Sequence, residues 1–132
     1  MSDPAVIGVA VVEHEGRYLV GIRGAEGPLP GYAEFPGGKC LPGEAPGECA
    51  GRECREETGL DVVPLELLLN TQFTYGHGSI DLHFWRCRPV RPDSVCESHN
   101  GFRWIPAAEL GRLTFPEANR SLIERLTRGR SS

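Results

Sequence analysis

The stretch GGKCLPGEAPGECAGRECREETGL, Gly37 to Leu60, limits what this chain can fold into more than any other segment. Its second half reads as a helix that includes Glu48 to Thr58 and ends at Gly59, the residue freest to take a left-handed cap. At about 100° per residue, Glu53, Glu56 and Glu57 stand at i, i+3 and i+4 and share one face. Gly47, Ala50, Gly51, Cys54 and Thr58 fall on an adjoining face, all small, as a helix pressed closely on a sheet requires. Arg55 and Glu48 point to water, and Arg52, four residues before Glu56, can hold that carboxylate from the side. Each like-charge pair costs about 0.2 to 0.5 kcal/mol on an isolated helix, which a solvated acidic stripe would tolerate. The company these glutamates keep argues for more. Gly37 and Gly38 read as a turn whose backbone can approach a ligand and expose a carbonyl to the same region. Carboxylates with a backbone carbonyl are hard oxygen donors, the set that suits magnesium or manganese rather than zinc or copper.

Around this segment the chain alternates strand-like and helical patterns, without repeats or a dividing linker, and one domain over residues 1–132 is expected. VIGVAVV, Val6 to Val12, is a continuous apolar run, and HEGR before YLVGIR reads as a turn between two strands. GAEGPLPG is a loop leading to the short extended piece AEFP. VVPLELLLNTQFTY and IDLHFWRC read as long strands joined at GHGS, FRWI as another, PAAEL as a short helix and FPEANRSLIERL as the last helix. The expected fold class is α/β, a mixed β-sheet sandwiched between α-helices.

A net charge of −4 and the lack of a long Lys/Arg run argue against a broad grip on duplex nucleic acid. A small anionic ligand remains, if a cation or a few arginines meet it. No apolar run approaches the roughly 20 residues that cross a bilayer, and a cytoplasmic location is expected. Cys40, Cys49, Cys54, Cys87 and Cys96 contain no CxxC pair, so neither a disulfide framework nor a zinc site is indicated by spacing. His14, His77, His83 and His99 are likewise scattered and read as structural or solvated.

The segment from Gly38 resembles the Nudix box: G, five free positions, E, seven free positions, then REUXEEXGU with U aliphatic. Gly38, Glu44, Arg52, Glu53, Glu56, Glu57, Gly59 and Leu60 fill the fixed places, and Cys54 stands where an aliphatic residue is usual. EFPGGK before the box and FPEAN near the C-terminus resemble the MutT branch, hydrolases of oxidised guanine nucleoside triphosphates. The resemblance covers nearly the full chain. It implies a Nudix fold and magnesium-dependent cleavage of a nucleoside triphosphate to monophosphate and pyrophosphate, by attack of water on phosphorus. The alternatives are another nucleotide, such as a pyrimidine triphosphate or a nucleoside diphosphate derivative, or a module that binds nucleotide without turnover. By position, Glu53, Glu56 and Glu57 become metal ligands, with the Gly37 carbonyl and Glu44 in support.

The resemblance, together with residue type and position, points to further residues. Arg23 and Lys39 are candidates for phosphate contacts; either also reads as a surface charge. Glu97, ahead of Trp104, is the candidate for an additional carboxylate, although Ser98 holds the expected place and a bulge must be assumed. Asn119 shares a helical stripe with Leu122, Ile123 and Leu126, so its amide faces inward and can read a purine edge with its acceptor and two donors. An Asn bonded to backbone near a helix start is the plainer reading. Phe35 and Tyr75 are candidate walls for the base, or core aromatics. Gly78 and Pro28 depart from the MutT pattern, which leaves preference for an oxidised base open.

Overall fold

The computed structural model describes residues 4–128. Its first strand, β1 (Ala5–His14), is the apolar run, and it is buried on both faces because it lies between two layers. Val9 and Val11 point into one core with Tyr18, Phe84, Leu110, Leu122 and Leu126, whereas Ala10 and Val12 point into another with Ala50, Cys54, Leu60 and Phe102. Strand alternation thus divides a uniformly apolar segment between two helical layers.

The other strands are β2 (Arg17–Ile22), β3 (Ala33–Glu34), β4 (Gly37–Lys39), β5 (Val62–Tyr75), β6 (Gly78–Pro89), β7 (Ser98–His99) and β8 (Phe102–Pro106). They form a sheet in the order β5-β6-β1-β2-β8-β7, with β3 attached to β2 and β4 to β1. β1 and β6 run parallel from Ala5↔Ile80 to Val12↔Cys87, and the remaining pairs are antiparallel. β6 takes one edge of β1, and β2 meets the opposite edge only at Glu13 and His14, which leaves the first part of that same edge free to pair with β4.

The helix α1 (Pro46–Thr58) lies across β1, β4, β5 and β6. Gly47, Cys49, Ala50, Cys54 and Thr58 are its buried residues: of the small face expected from spacing Gly51 is only half-buried, and Cys49 joins it. Gly8 is what lets it approach: a Cβ there would lie 2.7 Å from the Pro46 carbonyl oxygen and 2.8 Å from the Cys49 sulfur. Gly59 closes the helix at φ +81°, its N–H on the Arg55 carbonyl at 2.9 Å.

The chain belongs to the α/β class with helices on both sides of a mixed sheet, as expected. Three local readings change. Gly37 and Gly38 form the strand β4 rather than a turn; neither has positive φ, and glycine is needed there for space. PAAEL continues as a 3-10 helix over Ala107–Arg112. FPEANRSLIERL begins with a 3-10 turn, Glu117–Asn119, closed by the Asn119 N–H on the Pro116 carbonyl at 2.9 Å, before α2 (Arg120–Arg128). Among the described residues no helix is long and apolar enough to cross a membrane.

Candidate active site

β4 and α1 together build the site. Ala10 N–H bonds the Pro36 carbonyl at 2.8 Å and Cys40 N–H bonds the Val6 carbonyl at 2.9 Å, so Gly8 and Gly38 are the hydrogen-bonded pair between those two points. The alternation of an antiparallel ladder then turns the N–H and C=O of Gly37 away from β1. The Gly37 N–H meets Glu57 Oε1 at 3.4 Å, and the Gly37 carbonyl faces the same side, as required of a supporting oxygen donor.

The three box glutamates are not equivalent. Glu53 lies so close to β4 that a Cβ at Gly38 would sit 2.6 Å from its carboxyl carbon. Glu57 is half-buried beside it; burial, then the nearby Glu53 and Glu34 carboxylates, push its carboxyl up to about 7 against the lowering effect of the Gly37 N–H. Glu56 is mostly exposed and turned toward Arg52 at 3.0 Å. The helical spacing put all three on one face, and the structure divides them: Glu53 and Glu57 on the glycine strand, Glu56 on the flank.

Arg52 organises this arrangement. Its fork holds Glu44 by Nε–Oε2 at 2.7 Å and Nη2–Oε1 at 3.0 Å, while Nη1 meets Glu53 at 3.3 Å and Glu56 at 3.0 Å. Nη2 also donates to the Lys39 carbonyl at 3.1 Å, tying helix to strand. The guanidinium, helped by the Leu41 N–H, holds the Glu44 carboxyl down at about 2. Glu44 is thus committed to Arg52. Glu57 has no guanidinium partner within the described residues, so the negative charge left over is concentrated on the Glu53 and Glu57 side.

A cleft of about 280 Å³ opens beside this charge, lined by Ile7, Val9, Phe35, Ile80, Leu82, Phe84 and Pro116, with Arg23, Glu34, Gly37, Gly38 and Asn119 as its polar members. Phe35 is 5% exposed and stacks on Phe115 with ring centroids 5.1 Å apart, so it is both core and cleft wall. Asn119 reaches the cleft from the end of the 3-10 turn, not from a helical stripe, and its side-chain amide makes no hydrogen bond among the described residues. Arg23 lines the mouth with Nε 3.2 Å from Glu34 Oε1 and Nη1 on the Pro28 carbonyl at 3.4 Å, and its Nη2 makes no hydrogen bond among the described residues.

Other expected residues stay outside. Tyr75 is exposed at the tip of the β5–β6 hairpin, its ring beside Gly78. Lys39 contributes its carbonyl, and its side chain is exposed. Glu97 lines a separate, more polar cleft of about 620 Å³ with His14, Glu15, Arg17, Arg103 and Trp104, which does not include the box glutamates. That cleft is larger, but the glycine strand against which Glu53 and Glu57 lie, the unpartnered amide and the arginine all line the smaller one. The assumed bulge before β7 is absent: Ser98 pairs directly with Arg103, which leaves Glu97 before the strand.

Some contributors were not expected. Gly8 sits in a strand interior, itself a sign of close approach. Asn100 donates through Nδ2 to the Glu57 carbonyl at 2.7 Å and so anchors the C-terminal end of α1; no local signal ties these residues, which are 43 positions apart. Glu34 entered through its sheet position alone.

The NUDIX domain family profile matches residues 8–125. The chain is a Nudix hydrolase. This hydrolase is 36% identical over 94 residues to the 8-oxo-dGTP diphosphatase of Haemophilus influenzae, covering 70% of this chain and 68% of the relative. It is 28% identical over 115 residues to the CTP pyrophosphohydrolase of Escherichia coli, covering 87% of this chain and 85% of that one. A crystal structure of the MutT protein from Methanosarcina mazei Go1 superposes with a TM-score of 0.77 at 25% identity, covering all of this chain (100%) and 99% of that one. The hydrolase is therefore MutT-like, and the two relatives' names differ in the nucleotide they act on.

Proposed function

We propose that this Nudix hydrolase cleaves a nucleoside triphosphate to the monophosphate and pyrophosphate, with a purine nucleotide such as 8-oxo-dGTP as substrate and a divalent cation as cofactor. The observation that carries the proposal is the meeting of three features at β4: an acidic pair of which Glu57 has no guanidinium partner among the described residues, an apolar cleft beside it, and an unpartnered amide within that cleft.

The donor set fits magnesium or manganese. Glu53, Glu57 and the Gly37 carbonyl offer hard oxygens, and Glu53 can lie against β4 because Gly38 lacks a side chain. Glu56 reaches the ion only by turning away from Arg52. A bound divalent cation would supply positive charge against the phosphate oxygens and make the attacking water more acidic. The chain's own groups do the rest. Phe35 and its apolar neighbours exclude water around the base, and Asn119 offers both donor and acceptor to a purine edge. Arg23 stands at the mouth for the phosphate chain, its charge moderated by Glu34. Arg52 keeps Glu53 oriented through Nη1. Glu53 and Glu57, which lie at β4, are the carboxylates proposed to accept the water's proton, rather than Glu97, which lines another cleft.

A second reading, a pyrimidine triphosphate, is supported by the similarity to the CTP pyrophosphohydrolase and by the modest size of the cleft. A panel of oxidised and normal purine and pyrimidine nucleotides, with products identified, separates them. Monophosphate and pyrophosphate with the highest kcat/KM from 8-oxo-dGTP supports the first reading. A pyrimidine preference supports the second, and binding without products overturns both.

A further inference from the structure

Cys40, Glu44 and Cys49 form a cluster that the proposed hydrolysis does not use. Spacing alone indicated no such group, because the residues come from a strand end, a loop and a helix. Cys40 follows β4 and is anchored by its N–H to the Val6 carbonyl at 2.9 Å. Cys49 lies on the buried face of α1, its sulfur donating to the Gly38 carbonyl at 3.4 Å and seated in the space left by Gly8. Glu44 sits in the loop between them, with Oε1 accepting the Leu41 N–H at 2.9 Å. One ligand atom from each residue lies within 4.8 Å of the other two.

Those separations are close to what a soft cation needs. Zinc bonds of about 2.3 Å to sulfur and about 2.0 to 2.2 Å to oxygen place tetrahedral donors roughly 3.5 to 3.8 Å apart, so side-chain shifts of about 1 Å or less close the set. The charges also balance. Two thiolates and a carboxylate around a divalent ion leave one negative charge, and the Arg52 guanidinium already lies on Glu44 to meet it. Arg52 would also hold the carboxylate in orientation, as outer partners of metal ligands do.

We propose that Cys40, Cys49 and one carboxylate oxygen of Glu44 form a binding site for a thiophilic divalent cation such as zinc, separate from the oxygen donors at Glu53 and Glu57. Binding exchanges the two thiol protons for the ion, releases them to solvent, and involves no redox step. The fourth position is left to water. Cys40 and Glu44 are the partly exposed side of the cluster and provide the entry path, while Cys49 forms its floor. The ion pins the loop 40–49 to both β4 and α1. Thiol donors make the site selective against magnesium, which the hard-oxygen site prefers. The inference does not depend on the substrate reading.

Cobalt(II) added to the reduced, metal-free full chain provides the probe. The expected result is a thiolate-to-cobalt charge-transfer band with tetrahedral visible bands, saturating at one ion per chain and abolished by added zinc. Cys40→Ser and Cys49→Ala should each weaken zinc binding by about 10- to 100-fold or more, the lower range being what even an outer partner's loss costs. Cys40→Ser is decisive, since Cys40 is only partly buried, and a thermal melt checks that it folds. Glu57→Gln and Cys96→Ser should leave the bands intact. Absence of the charge-transfer band at saturating cobalt, its survival in Cys40→Ser, or its loss in Glu57→Gln would each overturn the proposal.

Discussion

Replacing Gly38 with alanine tests the geometry of the acidic pair directly. The added Cβ would lie 2.6 Å from Glu53 Cδ and Oε2 and 2.8 Å from Oε1, well inside van der Waals contact. The backbone at Gly38 has no positive φ, so alanine itself is tolerated. What must yield is the carboxyl group, the far end of a flexible side chain, by about 0.8 Å or more to restore ordinary contact. A displacement near 1 Å in a catalytic group costs on the order of 10²-fold in rate, or about 2.7 kcal/mol. Stability should change by no more than about 1 kcal/mol, because no core group moves. The neighbouring Gly37→Ala provides the contrast: its Cβ would meet the Gly8 carbonyl oxygen at 2.7 Å and the Val9 Cα at 3.0 Å, backbone atoms that cannot withdraw. It should cost about 1 to 3 kcal/mol as overpacking and lower the melting temperature. The assays are kcat/KM with magnesium on the preferred nucleotide, manganese binding by the signal of the free ion, and thermal melts. Wild-type turnover and manganese affinity in Gly38→Ala would refute a functional requirement for Glu53 at that position. An unchanged melt in Gly37→Ala would refute the close contact of β4 with β1.

Four other outcomes are expected. The Glu57 carboxyl is raised from 4.5 to about 7 in the folded protein, so the folded state holds the proton more tightly than the unfolded one; in chelator, stability should fall as pH rises from about 4.5 through about 7, and Glu57→Gln should flatten that slope in pH-dependent melts while removing most magnesium-dependent turnover. Arg52→Lys keeps the charge but loses the fork on Glu44, Glu53 and Glu56, and should lower kcat by about 10-fold or more with the protein still folded by circular dichroism. Asn119→Ala should raise KM for the preferred purine nucleotide by about 10-fold and for a pyrimidine one far less, since it removes one hydrogen-bonding group in the cleft; equal losses would count against base reading. Asn100→Gly preserves the left-handed turn at φ +52° but removes the bond to the Glu57 carbonyl, and should cost about 1 kcal/mol in urea unfolding.

Periodicity was enough to place α1, its small face and its acidic face, because a helix repeats locally and the residues that cap it are adjacent in the chain. The apolar run from Val6 to Val12 announced a strand buried on both sides, and the spacing of the box residues announced oxygen-donor chemistry. Neither could show which neighbours each glutamate would meet. Glu56 shares a helical face with Glu53 and Glu57, yet only the last two reach β4, since the angle at which a helix crosses a sheet depends on packing at Gly8 and Gly47. Tyr75 and Glu97 looked suitable by type and order, but a long hairpin carries the first to its exposed tip and direct pairing of Ser98 leaves the second in another cleft. The meeting of Asn100 with Glu57, of Arg23 with Glu34, and of Cys40 with Cys49 also awaited the folded chain. Local order in a chain dictates which elements form and which residue types each presents. Contacts between distant elements follow from how close their backbones can pack, and that is decided only when the sheet and helices assemble.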